Sequence, residues 1–350
     1  MNGDVDARFR YADARFGSTG TRGGVIAAAF CLWASTVYAD NPAPPPDCQL
    51  KQFGTVDLTA TDDDVLLPVT LNGQRGFMVL NTSSAFTVVW NAVVKQAKWR
   101  THSLSTSATI AFGHSKIDRY TALDSLAIGD IGLGKAQLMM VAAPASIVAP
   151  ASLPAPIVGA LGLDVFAGID FELDLAHGKL RLFSQDHCPN HVVYWTNEYA
   201  AVPLHRTELG TFTFPMELEG RSVEAILAPG EAATAVSTDV TKSIYGFDKD
   251  SPGIQTDVEP DGKESNHYIA MKMTAPGLTV KNPRIKLTKP PDAAVGCRLN
   301  TSKRRAEGAG YEDCLGPVPL KVGRSLLREL RLYFATKENV VYFSAANATK

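Results

Sequence analysis

"PVTLNGQRGFMVLN", residues Pro68 to Asn81, alternates apolar and polar side chains on either side of Asn72-Gly73. An Asn-Gly pair between alternating runs is the strongest short-range hairpin signal, because both residues tolerate the positive φ that a two-residue turn requires. Displaced by 147 positions, the stretch lies without a gap over "PMELEGRSVEAILA", Pro215 to Ala228. Pro68 then meets Pro215, Leu71 meets Leu218, Gly73 meets Gly220 and Leu80 meets Leu227. A second ordered match joins "LGLDVFAGIDFELDLAHGKLRLF" from Leu161 to "VGRSLLRELRLYFATKENVVYF" from Val322, each an apolar-Gly entry to a short helix followed by a hairpin. Matches that keep their order at both ends of each half argue for a duplicated unit.

Strand-length alternating runs also occur at "SATIAFG", "DRYTALDSLAIG" and "KAQLMMVAA", punctuated by Gly and Asp. Only short helical pieces are expected, around Trp90–Lys98 and Asp164–Ala167, so the fold class is all-β. "PASIVAPASLPAPIVG", Pro144–Gly159, reads as an extended surface segment and Gly246–His267, rich in Asp, Pro and Gly, as a mobile loop. Of the 350 residues 45% are apolar, enough for one large core or two medium ones, and a formal net charge of −2 excludes the basic field that nucleic acid would demand.

The first residues differ in kind. Arg8, Arg10, Arg15 and Arg22 precede an apolar run, Val25–Trp33, that ends at the small-residue "VYA", Val37–Ala39. This is the layout of a secretory signal, with an apolar stretch too short to span a bilayer. The expected organisation is a signal peptide at 1–39, an N-terminal segment at 40–64, a first lobe at 65–190 and a second at 200–347. The product is expected in the periplasm or secreted, as a monomer with no membrane insertion after cleavage. Cleavage would remove Cys31 and leave Cys48, Cys188, Cys297 and Cys314, an even set suited to an oxidising compartment. Three pairings are open, of which Cys48–Cys188 and Cys297–Cys314 are preferred because each closes one segment. A metal held by Cys188, His187 and His191 is disfavoured by Pro189, and neither metal nor cofactor is expected.

A hairpin with a central Gly, an apolar strand running into D-T/S-G, and a later apolar-apolar-Gly before a short helix together resemble the aspartic proteases. Bilobal members of the pepsin-like and retropepsin-like type duplicate the arrangement. The resemblance covers roughly residues 65–345 and implies a pepsin-like fold and an aspartic-type endopeptidase. Its chemistry needs one carboxylate from each lobe, two aspartates close enough to share a proton, with one activating water and the other polarising the scissile carbonyl. The matching positions here are Asn81, in "MVLNTSSAF", and Ala228, in "AILAPGEAA". An amide cannot take a proton from water and a methyl group has none to exchange. The flanking loop is altered as well: Thr82 is retained, Ser83 stands for Gly, Ser84 follows, Pro229 stands for Thr or Ser, and Gly230 survives.

The expectation is therefore a pseudoprotease, a non-hydrolytic protein of the cell envelope that binds an extended peptide or protein segment in the interlobe cleft. An active endopeptidase using non-standard acids and a purely structural assembly protein are the alternatives. Asn81 is expected to cap its own loop through Thr82 or Ser84, and Asp62–Asp64 to form a solvated turn. Asp164, Asp170 and Asp174 are expected as helix caps, and the seven histidines as surface residues. Asn81, Asn300 and Asn347 match glycosylation acceptors, with Asn81 expected to be too buried to serve.

Overall fold

The structure is a computed structural model that describes residues 5–6, 49–61, 64–104, 110–112, 115–144, 147–207, 210–258, 262, 264–289 and 320–349. Among these residues the protein is predominantly β, with three large sheets and four short helical segments.

The Asn72-Gly73 hairpin forms as its sequence requires. Val65–Leu71 and Gln74–Leu80 pair from Leu66↔Val79 to Leu71↔Gln74, around a turn with φ of 46° and 82°. The counterpart strands Phe212–Leu218 and Arg221–Leu227 close on Glu219 and Gly220, with φ of 52° and 73°. A left-handed Glu is unfavourable by about 1 kcal/mol. Its carboxylate is held by the Tyr268 hydroxyl at 2.9 Å and the Met271 N–H at 2.6 Å, contacts that help fix the turn.

Each hairpin is then joined by a strand from far along the chain that runs parallel to it. Ile157–Leu161 lies beside Gln74–Leu80 with Leu161 opposite Leu80, and Leu320–Val322 lies beside Arg221–Leu227 with Val322 opposite Leu227. A second parallel pair follows in each half, Val88–Trp90 with Met139–Val141 and Ala235–Ser237 with Lys286–Thr288. In the first half, pairing of Leu126–Ile128 with Val69–Leu71 closes the sheet into a barrel-like ring. The second half stays open, and Val5–Asp6 pairs with Thr279–Val280 at its edge.

The third sheet is built by both halves. Hairpins Ile169–Asp174/Lys179–Ser184 and Leu330–Ala335/Val340–Ala345 meet at its centre, Phe171 facing Phe334, and are flanked by Gln52–Asp57 and Ala200–Pro203. One face carries Phe171, Leu173, Leu182, Leu332, Phe334 and Phe343 into a core continuous across both halves. The Phe171 and Phe334 rings stack at 4.3 Å. Burial of each such side chain contributes about 1.5–3 kcal/mol.

The other face is charged, because Asp170, Glu172 and Asp174 share it by the two-residue period of a strand. Glu172 is fully buried and accepts from Arg181, from Arg331 Nε at 2.9 Å and from the Tyr194 hydroxyl at 2.8 Å. The segment at 185–199 covers this face, stacking Trp195 on the Arg331 guanidinium at 4.2 Å.

Several expectations need correction. Helix Asn91–Ala97, the 3₁₀ turn Leu163–Phe166 and the short helix Arg324–Leu327 after Val322-Gly323 form as expected, but Thr238–Tyr245 is also helical. That helix begins 147 positions after Asn91, so the repeat itself carried its signal. Within Gly246–His267, Gln255–Val258 pairs with Glu264–His267, so part of the segment read as a mobile loop is an edge hairpin. Asp164, Asp170 and Asp174 do not cap helices. Asp170 accepts from the Thr336 N–H at 2.9 Å and contacts His187 Nε2 at 2.6 Å, and Asp174 contacts His177 and Arg181. Two histidines are not surface residues, since the His187 side chain is 3% exposed and His267 is 7% exposed.

Candidate functional site

The two loops that carry Asn81 and Ala228 lie at the ends of the corresponding hairpins and share one set of backbone bonds. The Asn81 N–H donates to Leu161 O at 2.9 Å, and the Ala228 N–H to Val322 O at 3.0 Å. The Ser84 N–H reaches Asn81 O at 3.1 Å, as the Glu231 N–H reaches Ala228 O at 2.9 Å. Leu163 and Asp164 donate to Ser84 and Ala85, as Arg324 and Ser325 donate to Glu231 and Ala232. Thr87 accepts the Gly162 N–H on its hydroxyl at 2.9 Å, and Thr234 accepts that of Gly323 at 3.2 Å.

Two glycines allow this closeness. A Cβ on Gly162 would lie 2.4 Å from the Phe86 carbonyl carbon, and one on Gly323 would lie 2.3 Å from that of Ala233. No side chain fits between loop and strand at either point.

The loops are also joined to each other. Thr82, 4% exposed, donates its hydroxyl to Leu227 O at 2.9 Å across the halves. Pro229, at the position equivalent to Thr82, has no hydroxyl with which to return the bond. Asn81 and Ala228, the neighbours of the bonded residues, are thereby brought to one place, Asn81 half-buried and Ala228 buried.

Asn81 takes the Ser83 hydroxyl on its Oδ1 at 2.6 Å, so the partner of its side chain is Ser83 and not Thr82 or Ser84. Ser84 bonds instead to Phe86, donating to its carbonyl at 3.0 Å and accepting its N–H at 3.2 Å. The Asp164 carboxylate grips Thr87 through the N–H at 2.9 Å and the hydroxyl at 2.5 Å. Desolvation against the packed loop raises the Asp164 pKa despite these bonds. Asp64 sits in the turn read from the sequence, its N–H bonded to the Thr61 hydroxyl at 2.8 Å. Its Oδ1 nevertheless lies 3.6 Å from where a Cβ on Gly230 would stand, which places a carboxylate against the second loop. Sequence reading missed this contact, since nothing local in Asp64 names Gly230 as a neighbour.

Other candidates fall elsewhere. The His187 imidazole places Nε2 2.6 Å from the Asp170 carboxylate and Nδ1 3.2 Å from the Cys188 carbonyl, with Glu338 3.3 Å from the same nitrogen. The hydrogen bond to Asp170 raises its pKa against the opposing effect of burial. Cys188 is the one cysteine among the described residues; Cys48, Cys297 and Cys314 lie outside them, as do Asp62, Asp63 and Asn300. Asn347 is exposed. A crevice of about 390 Å³ between Pro215, Glu217, Ser222 and Pro276 opens on the second half, and none of the loop residues lines it. No family model matches the chain, and no curated protein matches its sequence.

Proposed function

We propose that the chain is an exported protein of the bilobal pepsin-like fold that has lost aspartic-protease chemistry and binds an extended peptide or protein segment between its lobes. The observation that carries the reading is the matched pair of loops. Asn81 and Ala228 stand at equivalent points of one bonding pattern and are linked through Thr82 and Leu227. That placement suits two acids sharing a proton, and neither residue is an acid. Loss of one general base costs roughly two to four orders of magnitude in rate, and loss of both removes the mechanism. The boundaries 65–190 and 200–347 for the lobes, and 1–39 for a cleaved signal, belong to the same proposal. So does a Cys48–Cys188 disulfide, supported by Cys188 not being a free thiol.

One observation favours hydrolysis by a relocated acid, namely Asp64 beside Gly230. A single carboxylate opposite an amide lacks the partner acid that would polarise the carbonyl, so binding is the better-supported reading.

The test has two arms. Mature protein is incubated between pH 3 and pH 6 with a denatured, fluorescently labelled protein, and separately with a pool of N-acetylated, C-amidated random decapeptides read by affinity-selection mass spectrometry. Wild type is expected to select peptides and cleave nothing, while Asn81→Asp combined with Ala228→Asp gains acid cleavage. Wild-type cleavage blocked by a transition-state mimic of peptide hydrolysis would sink the proposal, as would failure to select any peptide.

A further inference from the structure

We infer that the outer edge of strand Thr101–Ser103, on the first half, is a strand-addition site for an extended acidic segment of a partner protein. The surface is separate from the paired loops, and the inference does not depend on what binds between the lobes.

Thr101–Ser103 is the last strand of the first sheet, and no strand pairs with its outer side among the described residues. One hydrogen bond decides which backbone groups face outward. The Leu104 N–H donates to Asp118 O at 2.8 Å, so these two residues form a hydrogen-bonded pair. Such pairs alternate along an antiparallel ladder. His102 and Tyr120 therefore form the next one, while Thr101↔Thr121 and Ser103↔Arg119 are the pairs that exchange no bonds. The Thr121 hydroxyl reaches Arg100 O at 2.8 Å, in the same phase. The N–H and C=O of Thr101 and Ser103 thus point away from the sheet, and all three residues of the strand are exposed. An added strand meets two donors and two acceptors at the spacing of its own backbone.

Charge selects which strand is admitted. Lys95 and Lys98 close the helix that leads to the edge, Arg100 stands just before it, and Arg119 lies opposite Ser103. All four are exposed, and none has an ion-pair partner among the described residues. In segments 91–104 and 118–121 the one carboxylate is Asp118. Strand alternation puts Arg100 on the face of His102, whose ring stacks on Tyr120 at 5.0 Å, and puts Arg119 on the opposite face. Cations therefore flank the free edge on both sides.

A short, charged edge resists pairing with its own copy, because two such edges would bring their cations together. The same charge admits an acidic strand, whose carboxylates meet Arg100 on one face and Arg119 on the other. A polyanion without a peptide backbone would use the cations and leave the outward groups of Thr101 and Ser103 unengaged. A polypeptide uses both.

The probe is a fluorescein-labelled, N-acetylated and C-amidated decapeptide alternating Glu and Thr, read by fluorescence anisotropy at pH 7 in low and high salt. Wild type is expected to bind it. A copy N-methylated at its four central residues keeps the charge and blocks both of its edges, and should bind about tenfold more weakly. Ser103→Pro removes an outward N–H and spares those of His102 and Leu104 that the ladder uses, so it should also cost about tenfold. Arg100→Gln combined with Arg119→Gln should weaken binding about tenfold in low salt and flatten its salt dependence. Equal affinity for the methylated peptide, or wild-type affinity in Ser103→Pro, would reveal a charged patch without strand addition and overturn the inference. So would no binding of the acidic peptide, tighter binding of a Lys–Thr peptide of the same length, or tighter binding of alginate, a carboxylate polymer with no peptide backbone. Sedimentation of the protein alone as a dimer that Ser103→Pro dissociates would assign the edge to a second copy and overturn the choice of partner. Unchanged urea midpoints of the variants separate lost binding from misfolding, and the methylated peptide tests the edge with no variant at all.

Discussion

Replacing Thr82 with Val removes one oxygen and almost no volume, and the oxygen removed is the one that ties the two halves at their paired loops. Thr82 is 4% exposed and Leu227, whose carbonyl receives the bond at 2.9 Å, is also 4% exposed, so water cannot readily take the place of the hydroxyl. A buried acceptor that loses its partner costs about 1–3 kcal/mol, more than the ~1 kcal/mol net worth of a typical hydrogen bond. In a chain of 350 residues, at about 2.1 cal/mol/K of unfolding entropy per residue, each kcal/mol moves the thermal midpoint by about 1.4 °C. Calorimetry of Thr82→Val should therefore show a fall of roughly 1 to 4 °C by that conversion. The location of the damage is more diagnostic than its size. Hydrogen exchange should quicken at the amides of Ala228 and Glu231, in the half that was not mutated, because the loop holding them has lost its brace. Thr82→Ser keeps the hydroxyl and should leave those amides protected, even though a lost methylene costs it about 0.8 kcal/mol. Wild-type exchange at Ala228 in Thr82→Val, or an unchanged midpoint, would refute the claim that this bond couples the loops.

Gly162→Ala and Gly323→Ala should each destabilise by about 3 kcal/mol or more, since the added methyl meets backbone carbonyl carbon at 2.4 Å and 2.3 Å and backbone has nowhere to go. Urea midpoints check this, and unequal losses would argue against equivalent loops. His187→Gln tests the clasp between the 185–199 segment and the shared sheet. The folded state raises the His187 pKa, chiefly through Asp170, so the clasp contributes fully below the unfolded value near 6.5 and fades as pH rises through the folded value. The gap in urea midpoint between wild type and variant should thus be widest near pH 6 and narrow on going alkaline, and a gap that widens with pH would contradict it.

Much of the local structure was present in the sequence. Asn72-Gly73 specifies its hairpin because few residues other than Asn and Gly enter the left-handed region at little cost, and the alternation around it states which side chains face inward. The repeat carried that certainty to Glu219-Gly220, where the turn residues alone are less telling, and it made Ala228 the counterpart of Asn81. What the period of two could not show is which strands lie side by side. The parallel partners Ile157–Leu161 and Leu320–Val322 come from 77 or more residues along the chain.

The role of each acid and histidine also depended on tertiary structure. Asp170, Glu172 and Asp174 alternate along a strand, and the sequence states only that they share a face. That the face is buried under residues 185–199, with Arg181, Arg331 and His187 brought to it, follows from the shared sheet. Likewise the sequence by itself settles that positions 81 and 228 carry no carboxylate, since side-chain chemistry is a property of the residue. The Asn81 amide finds its partner two residues away at Ser83, whereas the placing of Asp64 against Gly230, 166 positions on, depends on the fold. Neighbours separated by more than a hundred residues are chosen by packing, and packing is decided only when the whole chain has folded.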